Sequence, residues 1–296
     1  MHSMKTVCQL TGLSPDTLRA WERRYGAVQP KRDDNGRRVY DAADLARLRL
    51  LRQTVTRGLP IHRAARLTRE ELEQVLREAG ESEPVPGLSD LVARLLAATA
   101  NYRPDLCDEI LGLAIAGLSP RDAVRYVLAP ALVEAGSRWH EGTFSAAQEH
   151  LLTASVERLV MTTMHTFQKV ARGPGMLFGT LAGERHAIGS LLAAFLAASQ
   201  GIRCIYLGAD LPPSELAQAA LRSNAVVIAL SLVTAIPRLE TQIDQLCREL
   251  PAAIEVWLGG AAVQDLDTAK LPKKCQRFKS FDDFFEQAEI LSQTGT

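Results

Sequence analysis

From Gly173 onward, short apolar runs alternate with segments of helical spacing, and this alternation limits the possible fold more than any other feature of the chain. Met176–Leu181, Arg203–Leu207, Ala225–Leu230 and Glu255–Leu258 read as strands buried on both faces. Ile188–Ser199, Pro213–Arg222 and Arg238–Leu250 read as helices between them, and Phe281–Leu291 as a closing helix. Strict alternation predicts a parallel sheet covered on both sides over residues 172–296, with any ligand beyond the carboxyl ends of the strands.

The preceding residues obey a different period. Leu91, Leu95 and Leu96, then Leu106, Ile110 and Leu113, then Val124, Val127 and Leu128, then Leu151, Leu152, Val156 and Leu159 recur at helical spacing. Breaks near Arg103-Pro104, Ser119-Pro120 and Glu141-Gly142 predict a four-helix bundle over 89–171. Residues 77–88 read as a linker, because Gly80, Pro84, Pro86 and Gly87 leave few apolar residues and Pro84 cannot continue a helix. Residues 1–76 read as short helices punctuated by Gly and Pro, so the chain is expected to be multidomain, α followed by α/β.

Hydrophobic residues make up 47% and charged residues 23%, which excludes a mostly disordered chain. The apolar run Ile188–Ser199 falls short of the roughly 20 residues that cross a bilayer, and Met1–Lys5 lacks the apolar stretch of a secretory signal. A cytoplasmic protein with no membrane partner is expected. Cys8, Cys107, Cys204, Cys247 and Cys275 form no CxxC pair or metal spacing and read as reduced, mostly buried thiols. The formal charge of zero conceals an asymmetry: residues 1–76 carry an excess of six positive charges, balanced by an equal acidic excess in the remainder. A polyanion at the N-terminal end is the natural partner for such a distribution.

That end has the motifs to match. Thr6–Leu13 forms a short helix and glycine turn, after which Ser14 caps a second helix with Pro15 at its first position. Leu18 and Trp21 face inward on this second helix, leaving Arg19, Arg23 and Arg24 for phosphates or base edges. Asn35-Gly36 marks the tip of a basic hairpin over Lys31–Tyr40. A basic helix beside a basic hairpin is a winged helix-turn-helix. Leu18-Arg19-Ala20-Trp21-Glu22-Arg23-Arg24-Tyr25-Gly26 and Arg37-Arg38-Val39-Tyr40 followed by Asp44-Leu45 resemble the MerR family of transcription regulators over about the first 70 residues. The resemblance implies contacts to double-stranded operator DNA from Arg19, Arg23, Arg24 and Tyr25 on the helix and from Arg37, Arg38 and Tyr40 on the wing. Tyr40 is the least secure of these, since a wing tyrosine often packs against the core. The stretch Ile61–Ala79, where MerR relatives place a long dimerisation helix, is short, so assembly into a dimer or tetramer is expected to involve the later domains.

Beyond the first predicted strand, Gly183-Glu184-Arg185-His186-Ala187-Ile188-Gly189 presents an imidazole at the ligand-binding edge of the sheet. Neutral imidazole suits cobalt, Glu184 could fix its other ring nitrogen, and Gly189 would admit a bulky group close to the backbone. A histidine in such a loop is more often an ordinary polar residue, and the surrounding pattern decides. The loop resembles the Asp/Glu-x-His-x-x-Gly motif of methionine synthase-like cobalamin domains, whose fold is flavodoxin-like, or Rossmann-like; Ser231-Leu232-Val233 and Gly259-Gly260 follow at later strand ends. By that resemblance His186 is the lower cobalt ligand, Ser231 and Thr234 contact the nucleotide tail, and Gly259 and Gly260 make room for it. Val233 stands where that family often has Leu.

Trp139, followed after nine residues by Glu149-His150, resembles the signature of light-responsive MerR regulators of the CarH/LitR type. The likeness implies that Trp139 and Glu149 enclose the adenosyl side of adenosylcobalamin and that His150 is a possible upper ligand after photolysis. His140 is left without a role and is expected at the surface. The implied protein is a photoreceptor and repressor, not an enzyme, whose homo-oligomer changes when light removes the adenosyl group. Three other readings stay open: a MerR-type regulator without cofactor, a sensor of cobalamin itself or of another tetrapyrrole or redox signal, and a corrinoid methyl-transfer carrier. The helix-turn-helix and the lack of a zinc cluster argue against the carrier.

Overall fold

A computed structural model of the protein describes residues 2–11, 13, 15–32, 36, 38–56, 59, 61–78, 88–266 and 271–294. The cap assigned to Ser14, the Asn35 of the hairpin tip, the wing residue Arg37 and the linker stretch 79–87 lie outside the described residues. Two compact units are present: Met1–Asp90 with Pro130–Glu149, and Leu91–Ala129 with His150–Thr296.

The first unit opens with β1 (His2–Ser3), α1 (Met4–Thr11) and α2 (Pro15–Tyr25). Pro15 starts α2 where its missing N–H costs nothing. Lys31–Arg32 (β2) and Arg38–Tyr40 (β3) pair antiparallel, and β1 adds to the far side of β3 to complete the small sheet. The helices α3 (Ala42–Thr56), α4 (Ile61–Ala64) and α5 (Arg69–Glu78) follow. Val7, Leu18, Trp21, Tyr40, Leu48, Leu51 and Leu72 meet in one core, as the inward face predicted for α2 requires. Arg47 organises the loops around that core. Its guanidinium donates to the carbonyls of Ala27 (2.8 Å), Ala65 (2.8 Å) and Leu67 (3.0 Å).

The helical stretch that follows comprises α6 (Leu88–Ala100), α7 (Pro104–Gly117), α8 (Pro120–Ala123), α9 (Ala129–His140) and α10 (Ala146–Gln168). Two of the expected breaks are found at prolines occupying first helical positions and the third at Gly142, which has a positive φ, and the Ser119 hydroxyl accepts from the Asp122 amide at 3.1 Å to cap α8. A π-helical turn, Val124–Leu128, joins α8 to α9. Pro130 gives the physical reason, because its ring disfavours regular packing against the preceding turn and widens it.

In the second unit the strands β4 (Gly175–Gly179), β5 (Arg203–Tyr206), β6 (Ala225–Ser231), β7 (Glu255–Gly259) and β8 (Cys275–Arg277) form a parallel sheet in the order β5-β4-β6-β7-β8. The helices α11 (Ile188–Ser199), α12 (Pro213–Ser223), α13 (Leu239–Glu249) and α14 (Phe281–Thr294) alternate with them. Every residue of β4 is buried, which is the reason its sequence reads as a continuous apolar run. The strand β8 was not expected: Cys275-Gln276-Arg277 forms a polar edge and offers no apolar run to detect. Arg121 on α8 pairs with Asp282 at 2.7 Å and Glu286 at 2.9 Å on α14, and the Gln168 side chain at the end of α10 bonds Ile202 O (3.0 Å) and Cys204 N (2.9 Å). These contacts bind the helical segments of the unit to its sheet layer. No helix among the described residues is long and apolar enough to cross a membrane.

The strand order reverses at β4, so the crevice of this Rossmann-like sheet opens between the carboxyl ends of β4 and β6. Gly260, at the end of β7, has φ +102°, and a Cβ there would lie 2.3 Å from the Leu232 carbonyl oxygen. A Cβ at Gly259 would meet nothing within 4 Å. Gly260→Ala is therefore expected to destabilise the second unit by about 2 kcal/mol or more, and Gly259→Ala by no more than about 0.5 kcal/mol. Chemical denaturation of the two variants checks this; equal midpoints would refute the distinction.

Candidate functional site

Glu184 is the centre of the crevice. It has no exposed surface, and both carboxylate oxygens are occupied. Oε1 accepts from the His186 backbone amide (2.8 Å) and from His186 Nδ1 (2.6 Å). Oε2 accepts from the amides of Val233 (2.8 Å) and Thr234 (2.7 Å) and from the Thr234 hydroxyl (3.0 Å). Burial pushes the Glu184 carboxyl up, but the hydrogen bonds from Thr234 and His186 outweigh it and hold the group below its usual range. A charged acceptor at this position requires the proton on Nδ1, which leaves the lone pair of His186 on Nε2. The imidazole is 54% exposed.

The loop carrying this pair is fixed from three sides by residues that sequence reasoning missed. The buried Thr180 hydroxyl donates to Glu184 O (2.5 Å) and accepts from the Asp210 amide (2.9 Å). Asp210 Oδ1 accepts from Gly183 N (2.7 Å), and Gln242 Nε2 donates to Ala182 O and Pro237 O, both at 3.1 Å. Thr180 left a trace in the sequence as the polar residue within the first apolar run. Asp210 and Gln242 left none, because only the sheet order brings them to the loop.

Gly189 and Ser231 are adjacent: a Cβ on Gly189 would lie 2.5 Å from the Ser231 hydroxyl. The next residue, Ser190, is 1% exposed, and its hydroxyl is one of two buried side-chain atoms among the described residues without a hydrogen-bond partner. A fixed imidazole with a nitrogen outward and an orphan hydroxyl four residues further on fit a polar ligand bearing a metal. Thr234, expected to meet the nucleotide tail, donates its hydroxyl proton to Glu184.

The remaining candidates stand in other parts of the chain. Trp139 is 46% exposed near the end of α9 and meets the His140 ring edge-on, with centroids 4.7 Å apart. His140 is exposed, as expected, and its Nδ1 lies 2.8 Å from Gly136 O. Glu149 is half-buried in the first unit, and His150 is exposed in the second. Glu141, in the turn after α9, hydrogen-bonds Thr17 on α2 within the first unit.

Arg19, Arg23 and Arg24 are exposed on α2, and Tyr25 is exposed at its end. Tyr40 is not at the surface. It is fully buried, and its hydroxyl donates to Glu22 Oε1, while Arg38 Nε donates to Glu22 Oε2 at 2.8 Å. Burial and the bond to Glu22 push the Tyr40 phenol well above its ordinary value, so it stays a donor. Glu22 thus ties the wing to α2, a role that its place among arginines hid in the sequence.

Residues 2–71 match the family described as MerR HTH family regulatory protein, and residues 91–162 match the B12 binding domain. Together they define a transcription regulator with a helix-turn-helix and a B12-binding region. The HTH-type transcriptional repressor CarH of Myxococcus xanthus is 31% identical over 269 residues, covering 89% of this chain and 90% of that protein. This chain belongs to the family of MerR-type transcriptional repressors represented by CarH. CarA of the same organism, another HTH-type transcriptional repressor, is 28% identical over 78% of this chain and 76% of its own length. The monomethylamine corrinoid protein of Methanosarcina barkeri shares the fold, with a TM-score of 0.56 at 18% identity, over 68% of this chain and 98% of that one.

Glu184→Ala removes the shared acceptor of part-buried donors at Val233, Thr234 and His186, and is expected to cost about 1–3 kcal/mol of stability without any ligand present. Glu184→Gln should fall between the two, since its amide can accept but also turns donors toward donors. Urea unfolding measures both; an unaltered midpoint for the alanine variant would remove Glu184 from the centre of the site.

Proposed function

We propose that this protein is a light-responsive repressor that binds double-stranded operator DNA through 1–76 and binds adenosylcobalamin with residues of a four-helix bundle over 89–171 and of the sheet domain over 172–296. The observation that carries this reading is the buried Glu184 carboxylate that fixes His186 with Nε2 outward at the switch point of the sheet. His186 serves as the lower cobalt ligand. Ser231, Ser190, Gly189, Gly259 and Gly260 receive the nucleotide tail, and Thr234 acts by holding Glu184. Trp139 and Glu149 would hold the adenosyl side of the cofactor, and His150 would be a possible cobalt ligand on that side. When bound, adenosylcobalamin supplies a cobalt–carbon bond that visible light breaks.

Trp139 and the DNA-reading helix α2 belong to one compact unit, joined by the bond between Glu141 and Thr17. A change at Trp139 therefore bears on the unit that carries Arg19, Arg23, Arg24, Tyr25 and Arg38. Arg37 completes the wing set, and Tyr40 supports it through Glu22. A homo-oligomer presents two or more such units to an operator of matching symmetry, and a cofactor state that favours one assembly sets the DNA affinity.

The full chain reconstituted with adenosylcobalamin in darkness is expected to change its visible spectrum on green illumination and to shift its elution volume. His186→Ala should lower cofactor retention on a desalting column about tenfold or more. An unaltered spectrum in light would sink the photosensory reading, and undiminished retention would remove His186 as ligand. Arg19→Ala and Arg23→Ala are each expected to cost about 1–3 kcal/mol of operator affinity and to flatten its salt dependence by about one unit. Operator titrations across a salt series test this, and intact binding in both variants would displace α2 from the interface.

A further inference from the structure

Burial pushes up the thiols of Cys8, Cys107 and Cys204, the last to about 12, in keeping with inert cysteines. Cys247 and Cys275 differ. Cys247 lies on the buried side of α13 near its end, Cys275 opens the edge strand β8, and their Sγ atoms are 3.4 Å apart. Sequence distance concealed the pair, which only the docking of β8 beside β7 creates. Lys274 fixes the junction from the neighbouring position. Its ammonium donates to the carbonyls of Cys247 (3.1 Å), Leu250 (2.7 Å) and Pro251 (2.9 Å), capping the open end of α13 with a cation.

The Cys247 thiol is shifted down: the hydrogen-bonding contact with Cys275 favours its charged form, burial opposes, and the Lys274 charge adds to the stabilisation. A groove of about 700 Å³ opens beside the sulfurs, lined in part by Asp244, Arg248, Lys273 and Lys274. Cys247 is 7% exposed and Cys275 only partly exposed, so the groove admits a small reactant to the sulfurs rather than a bulky one.

We propose that Cys247 and Cys275 form a peroxide-reactive dithiol, a modification site that cycles between two thiols and one internal disulfide joining α13 to the edge strand β8. The Cys247 thiolate attacks one oxygen of hydrogen peroxide, the O–O bond breaks, and the departing hydroxide takes up the proton released from Cys247 as water. Cys247 is then a sulfenic acid. The Cys275 sulfur attacks Cys247 Sγ, the S–O bond breaks, and the leaving oxygen takes the Cys275 proton to form a second water. The two sulfurs lose two electrons and one peroxide is reduced to two waters. Closing the gap from 3.4 Å to a disulfide needs an approach of about 1.4 Å.

The full chain, kept dark and treated with hydrogen peroxide, is then alkylated, digested and analysed by mass spectrometry over time. A Cys247–Cys275 linked peptide is expected to form roughly ten times faster than oxidation at Cys107 or Cys204, and to vanish on treatment with dithiothreitol. Complete alkylation of both cysteines at times when the others are oxidised, or direct conversion to sulfinic acid, would overturn the proposal. Cys275→Ser should leave a Cys247 sulfenic acid that dimedone captures, and its absence in the folded variant counts equally against the pair. The wild-type comparison needs no substitution, so a misfolded variant leaves the test intact.

Discussion

The five hydrogen bonds received by the Glu184 carboxylate are the constraint on which the candidate site depends. A carboxylate removed from water loses its hydration, and an unpaired one would take a proton instead. Here two backbone amides after β6, one amide of its own loop, a hydroxyl and an imidazole replace the lost water. The carboxylate thereby joins the loop after β4 to the loop after β6 across the switch point. Its charge also selects the tautomer of His186. One buried group thus sets the loop geometry, the ring orientation and the nitrogen left for a metal.

Glu22 performs a similar task in the first unit with a different result. Its side chain is 8% exposed, and its two oxygens take Arg38 and Tyr40 from the wing strand β3. The carboxylate lies among cations that would otherwise repel one another, so it lets α2 and β3 present positive charge side by side. It also draws Tyr40 into the core. The motif that suggested seven DNA-contacting residues therefore contains two kinds of residue, the exposed Arg19, Arg23, Arg24 and Tyr25 and a Glu-Tyr pair that holds the wing against the helix.

Much of the architecture was legible because burial on two faces writes itself into sequence. The strands β4 to β7 and the helices between them fell within a few residues of their expected positions, since continuous apolar runs and helical spacing are direct consequences of a covered parallel sheet. The strand β8 was illegible for the converse reason: an edge strand needs little apolar surface. The Glu184–His186 pair was legible because its members are two residues apart. Thr180, Asp210 and Gln242 come together only through strand order, and Cys247 with Cys275 through the docking of an unexpected strand. The dual use of Thr234 was hidden as well, because one hydroxyl can serve a ligand or a neighbouring carboxylate and spacing does not say which.

The site divides into a part complete without a ligand and a part that is not. Both oxygens of Glu184 are satisfied within the chain, so the imidazole is held in place before anything binds. Ser190 is the opposite case. Its hydroxyl is buried beside Gly189 with no partner among the described residues, a state that costs free energy until an acceptor or donor arrives. Binding at such a place gains from both halves: the fixed imidazole loses little entropy, and the orphan hydroxyl recovers a bond. The switch point thus combines a preorganised carboxylate–imidazole pair with one unsatisfied hydroxyl at the start of α11.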